Sequence, residues 1–302
     1  MSIIESVFQS SSVNFDGLLH YQFMQNAFIA GTIIAILAGT VGYFMVVRGQ
    51  SFAGHSLANV GFAGATGASL IGLSPLLGLV VSGILAACGI YWLGLDMQHS
   101  RQSDIATGAI FSASMALGFL FVHLSTAQAN NIYYVLFGNV LGISKASVLV
   151  TAAMAVPAFI LVLVAARPLL FASVDPVVAE ARGVPVARLG LGFLLILALV
   201  VAVAVQVVGV LLIFALLVTP AAAARRLSSR PMIEIIISVL LAVIFTWTGL
   251  IAGYYTTFPV SFYITTFSFG FYVLVRLFKA FGLTGKVSTI KPDFEKSETD
   301  GS

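Results

Sequence analysis

Nine stretches of mostly apolar residues, each about twenty long, follow one another along this chain, at 23–47, 55–73, 75–95, 105–124, 146–166, 189–206, 208–224, 232–252 and 260–278. Few folds accept such a pattern. A helix rises about 1.5 Å per residue, so each stretch can cross a hydrocarbon layer roughly 30 Å thick. Soluble domains carry about a quarter charged residues; here 8% are charged and 60% are hydrophobic. The sequence therefore predicts an all-α fold, a polytopic membrane helix bundle of about eight to nine transmembrane helices. Residues 1–281 form this membrane domain, and the polar stretch 282–302 is expected to be a disordered cytoplasmic tail.

Alternating the spans across a membrane assigns each charged residue a side. Arg48, Arg101, Arg167, Arg182, Arg188, Arg225, Arg226, Arg230, Arg276, Lys279, Lys286, Lys291 and Lys296 fall on one side, and only Lys145 on the other. Positive residues are retained in the cytoplasm. The amino terminus is thus expected outside and the carboxyl terminus inside, in a plasma membrane such as the bacterial inner membrane. Merging 189–206 with 208–224 would break the segregation, which favours nine crossings. The basic residues are scattered over loop ends, so nothing suggests nucleic-acid binding. The lone Cys88 excludes an intrachain disulfide. No basic segment precedes the first span, so no cleavable signal is expected.

No Asp or Glu lies in the interior of an apolar stretch; Asp104 just precedes one and Glu234 is the third residue of another, both at predicted cytoplasmic ends. Carriers driven by protons or sodium usually bury such groups near midplane, so the energy for any transport is expected from elsewhere. The chain cannot hydrolyse ATP itself. Its nearest approach to a phosphate loop, GLTGK at 282–286, is too short and is followed by Val287.

Three stretches stand out. Ser51–Gly72 is uncharged, rich in Gly and Ala, and carries His55 and Asn59 four residues apart. On a helix that spacing places both on one face. They can line a path for a small polar cargo, or tie helices together by hydrogen bonds. The cytoplasmic insert between Arg167 and Arg188 encodes a short helix, with Asp175 as N-cap, Pro176 at the first position, Gly183 as stop and Pro185 beyond. It reads either as a rigid knob that transmits movement or as an ordinary interfacial helix. In QVVGVLLIFALLVTPAAAARR, at 206–226, Pro220 is expected to kink or end a helix whose alanines pack closely on a neighbour.

Taken together, RGQSFAG (48–54), DIATGAIF (104–111), YVLFGNVLG (134–142), DPVVAEARGVP (175–185) and QVVGVLLIFALLVTPAAAA (206–224) resemble the permease subunits of ATP-binding-cassette importers for zinc, manganese and ferrous iron. The resemblance runs over nearly the whole chain. It implies a non-catalytic transport subunit and no permanently bound cofactor, with a divalent metal ion as cargo. It also implies a homodimer around a central path, a separate cytoplasmic ATP-binding subunit, and an external binding protein that delivers the metal. On this resemblance His55 and Asn59 are transient metal contacts in the translocation path. Asp175, Glu180, Arg182 and Gly183 shape the ATPase-coupling element, and Gly209 and Pro220 are hinges of the gate.

The chain departs from the family at one place. Members usually carry Asp where this chain has His55, and His where it has Asn59. Loss of the carboxylate weakens the pair for any dication, and the imidazole leans the expected cargo from manganese towards zinc. An organic cofactor or metal chelate is an alternative cargo. From another class, an intramembrane serine hydrolase could use Ser69 with His55 or His123 as base, although GASL lacks the second glycine such proteases carry. A passive channel or secondary carrier is a third reading. Gly138/Gly142 and Gly249/Gly253 have the spacing of helix-packing pairs.

Overall fold

The structure is a computed structural model that describes residues 20–94, 100–125, 135–138 and 140–280. Among these residues every long element is a helix. In chain order they are α1 (Gln22–Val47), α2 (Ser51–Leu70), α3 (Pro75–Gly94), α4 (Ser100–Leu124), α5 (Lys145–Val174), α6 (Pro176–Ala181), α7 (Val186–Val208), α8 (Val210–Leu227), α9 (Pro231–Tyr255) and α10 (Val260–Ala280). A 3-10 turn, Val140–Gly142, precedes α5. Eight of the nine long helices are long and apolar enough to cross a membrane; the exception is the Gly- and Ala-rich α2. The tail at 282–302 and the GLTGK sequence lie outside the described residues.

Burial separates centre from rim. The most apolar windows of α1 and α7 are 72% and 67% buried, whereas those of α4, α5 and α10 are only 17–22% buried. The rim helices therefore present apolar side chains outward, among them Leu149, Val156, Ile160 and Val164 on α5. In water such a surface would aggregate; in a bilayer it is solvated by lipid tails. Around α1 pack α5, α8 and α9, while α2 lies between α3 and α4, and α7 joins the two groups through α3 and α5.

Small residues set these distances. A Cβ added at Gly64 would strike Gly78 O and Ser82 Oγ of α3, and one added at Gly42 would strike Leu217 O of α8. Since lipid supplies no hydrophobic force between helices, close backbone approach and buried hydrogen bonds hold the bundle. Ser238 Oγ donates to Gly39 O at 2.8 Å, joining α9 to α1. Asn26 Nδ2 donates to Ile143 O at 3.0 Å, anchoring the loop before α5.

These contacts sort helix ends into two faces. At one face residues 135–138 and 140–143 meet the start of α1, the start of α10 (Ser261 Oγ donates to Phe137 O at 2.9 Å) and the α7–α8 junction. At the other, Arg48 lies over the Phe193 ring at 5.5 Å, and Lys279 Nζ donates to Arg226 O at 3.0 Å. Helix α7 thus begins at the basic face and ends at the opposite one, and α8 returns. Among the described residues the apolar run is divided where the charge pattern requires, with Gly209 as the only residue between α7 and α8.

Two expectations are corrected. Of the kink or end expected at Pro220, the end is excluded: α8 runs on to Leu227 with Pro220 buried inside it. Nor is Gly138 part of a helix-packing pair. It has φ +76° outside any long helix, and its backbone abuts Val208 and Gly209. Gly249 and Gly253 do pack as expected, against Ile264 and Val260 of α10.

Candidate functional site

Helix α2 is rich in Gly and Ala, and α3, α4, α7 and α8 pack against it. Gly61 faces Leu79, Gly67 faces Phe121, and Phe62 fits over Gly118 of α4. On this scaffold His55 occupies the second turn and Asn59 the third. Their side chains meet as the four-residue spacing predicts: Asn59 Nδ2 lies 3.4 Å from His55 Nε2 and donates to the His55 carbonyl at 2.8 Å. Asn59 is buried and His55 half-buried.

Two aromatic rings fix the imidazole. Phe214 of α8 meets it edge to face with centroids 4.7 Å apart, and Phe111 of α4 lies at 5.8 Å. His55 therefore stands where α2, α4 and α8 converge. Its Nδ1 atom is buried and has no hydrogen-bond partner among the described residues. Leaving such a nitrogen unpaired costs about 1–3 kcal/mol, a cost that packing alone would remove by substitution. The site thus presents an imidazole nitrogen, a borderline donor, beside an amide, with no carboxylate among the residues described around it. Among the described residues no group of three His, Cys, Asp or Glu side chains could enclose a metal. Two donors can touch a passing cation but cannot retain one, since tight transition-metal sites use three or four protein ligands.

The other predicted residues lie elsewhere. Asp175 caps α6 as expected: its Oδ1 accepts from Val178 N at 3.0 Å. Pro176 is the first helical residue, and Gly183 stops the turn at φ +81°. Glu180 and Arg182 are exposed on this six-residue element, which buries Ala179 and leaves Val177 75% exposed. The element is thus a capped knob with an apolar side chain exposed at its tip. Gly209 sits at the opposite face, at φ +81°.

His123 lies in the last turn of α4, away from this constellation. Ser69 Oγ donates to Ala65 O at 2.8 Å within its own helix. That hydroxyl belongs to the backbone of α2, which removes the basis for a Ser69 nucleophile paired with His55. Gln206 is exposed and lines a shallow cleft with Ser69, Ser74 and Ser147 at the non-basic face.

Sequence reasoning missed several partners. Phe111 closes the DIATGAIF motif and Phe214 lies within the 206–226 run, so both stood in motifs singled out for other reasons. A buried Glu234 faces Tyr43 and Arg225 at the basic end of α9. Arg48, in the lead-in to α2, is pressed below its ordinary pKa by burial, yet guanidinium stays charged at any relevant pH.

Comparison with known proteins adds a second line of evidence. The ABC 3 transport family matches residues 20–279. A protein named as the manganese transport system membrane protein MntC, from Halalkalibacterium halodurans, is 34% identical over 242 residues, covering 80% of both chains. A Haemophilus influenzae protein, named as a probable iron transport system membrane protein, is 31% identical over 212 residues, 70% of this chain and 76% of that one. Among solved structures, PsaBC from Streptococcus pneumoniae in complex with Fab matches with a TM-score of 0.77 at 29% identity, covering 88% of this chain and 97% of that chain.

Proposed function

The chain belongs to the ABC 3 transport family, and from that premise we propose that it is the membrane-spanning permease of an ATP-driven importer of divalent manganese. The observation that carries this reading is the match to a manganese transport membrane protein along four-fifths of both chains, within a family match at residues 20–279 that includes α2. This moves the cargo from the zinc suggested by the imidazole towards manganese, with ferrous iron next, as the Haemophilus relative suggests. An imidazole nitrogen and an amide oxygen can replace two waters of a hydrated dication without holding it long.

In this reading two copies of the chain face one another, and the cargo passes along α2, beside His55 and Asn59, between Phe111 and Phe214. The ATP-binding subunit is a separate protein docked on α6, and an external binding protein delivers metal to the opposite face. The basic face is cytoplasmic, because Arg and Lys gather there and Lys145 alone caps the other side. Gly209, as the pivot between α7 and α8, and Pro220, which removes one backbone hydrogen bond within α8, let α8 bend beside the path.

The test is elemental analysis of cells lacking the gene and of the same cells restored with the native chain, both grown with scarce metal. Manganese content should fall in the first and recover in the second. A fall in zinc alone would return the cargo to the imidazole-based reading. Unchanged metals would point to an organic cargo.

The coupling role of α6 has its own consequence. Nothing lies within 4 Å of a Cβ added at Gly183, so Gly183→Val acts through backbone conformation alone. A β-branched residue at φ +81° costs about 1–3 kcal/mol, enough to reshape the end of α6 without unfolding the bundle. Assembly should persist while permease-stimulated ATP turnover falls several-fold; normal stimulated turnover would remove α6 from the coupling path.

A further inference from the structure

At the basic face, the last turn of α8, the following turn and the ends of α9 and α10 enclose a cleft of about 600 Å³. Arg225, Arg226, Arg230 and Lys279 line it, and Glu234 is its sole acidic residue. None of the four cations has a carboxylate within ion-pair distance among the described residues. Lys279 Nζ donates instead to Arg226 O at 3.0 Å, and the Arg226 guanidinium lies over the Tyr272 ring at 5.6 Å. Glu234 is buried and turned towards Tyr43. Net charge in the cleft is therefore about three positive, with hydroxyl donors from Ser228 and Ser229 on the same wall.

The surroundings say what kind of anion fits. Beside the cleft lies the apolar outer surface of α9 and α10. Met232 and Ile236 on α9, with Leu277 and Phe278 on α10, are 69%, 55%, 46% and 54% exposed. Positive and hydroxyl groups at a helix end, continuous with an outward apolar face, match a phosphate carried on acyl chains better than a free phosphate. Basic pockets between membrane helices hold anionic lipid headgroups by this means. We propose that this cleft binds the phosphate headgroup of an anionic phospholipid, with its acyl chains along α9 and α10. The site rests on the membrane-spanning bundle, and neither the cargo nor α6 enters into it.

The experiment uses the purified full-length chain in a neutral detergent and native mass spectrometry. Phosphatidylglycerol, phosphatidylcholine and inorganic phosphate are titrated separately against the native chain, Arg226→Gln/Arg230→Gln/Lys279→Gln, and Arg167→Gln as a basic-face control. One phosphatidylglycerol per chain should bind saturably and more tightly than phosphatidylcholine. Each basic residue contributes about a factor of five near a membrane surface, so the triple variant should lose about a hundredfold while Arg167→Gln stays near native. Should the triple variant not fold, exposed Arg230→Gln alone should lose about fivefold. Equal binding of the two lipids, or no loss in either variant, would overturn the proposal. Saturable binding of inorganic phosphate that excludes phosphatidylglycerol would assign the cleft to a soluble anion and overturn it likewise. Metal uptake is not the readout, so a wrong cargo assignment leaves the test intact.

Discussion

Gly209→Val is expected to leave little folded protein in the membrane. Gly209 is the only residue between α7 and α8, and it reverses the chain at φ +81° and ψ 163°. That backbone region is essentially reserved for glycine. The space is closed as well: an added Cβ would lie 2.6 Å from both Leu136 O and the Phe137 carbonyl carbon, and would strike Gly138 N. Gly138 itself holds φ +76° against Val208, so neither strand of the contact can yield cheaply. Conformation and overlap together should cost about 4–5 kcal/mol or more, a large fraction of any domain's stability. The yield of monodisperse chain from membranes, and its thermal unfolding, would show the loss. Gly192→Val is the control, since nothing lies within 4 Å of a Cβ there. Native-like yield of Gly209→Val would mean that the α7–α8 junction is not the tight reversal described.

His55→Ala should separate transport from folding in the opposite way. The imidazole is half-buried, its Nδ1 has no partner among the described residues, and its contacts include the Phe214 and Phe111 rings and the Asn59 amide. Truncation loses some packing but relieves an unpaired buried nitrogen, so stability should change by only about 1 kcal/mol. Uptake is another matter. Under the proposed function truncation removes one of two cargo contacts, and should slow manganese accumulation at limiting concentration by about tenfold or more, the scale on which altered metal shells act. Initial-rate uptake in cells expressing matched amounts of each chain measures this. An unchanged rate would reduce His55 to a packing residue at the α2–α4–α8 junction.

The bundle was legible because its signals are local. Span positions follow from runs of apolar residues. The α6 cap follows from Asp175, Pro176 and Gly183, each chosen by backbone geometry over a few residues. Even the break at Gly209 could be found, because basic residues segregate only if the chain reverses there. Helix ends were less accurate: α5 continues to Val174, eight residues past the expected end of its span, because backbone hydrogen bonding does not stop where hydropathy falls. Pro220 shows the same limit. Its neighbours hold α8 together around the missing hydrogen bond, as packed membrane helices can.

The site was only half visible. Spacing along α2 could bring His55 to Asn59, because four residues make about one helical turn. Their neighbours could not be read, because Phe111 and Phe214 arrive from helices more than fifty residues away and no local pattern encodes that meeting. Gly138 was misread for the same reason: its spacing to Gly142 suits a helix face, but its role is set by Gly209, a contact across seventy residues. The resemblance gave the class of cargo, and donor chemistry at the imidazole tilted it towards zinc; the named relatives favour manganese.

The account stands or falls on energy-driven metal movement through this chain. The direct measurement is manganese flux across proteoliposomes holding the chain with its ATP-binding subunit and binding protein, with ATP on the ATPase side. Flux should require ATP hydrolysis, stop with vanadate, and fall about tenfold with His55→Ala. Equal flux without ATP would make the chain a channel or secondary carrier and contradict the account.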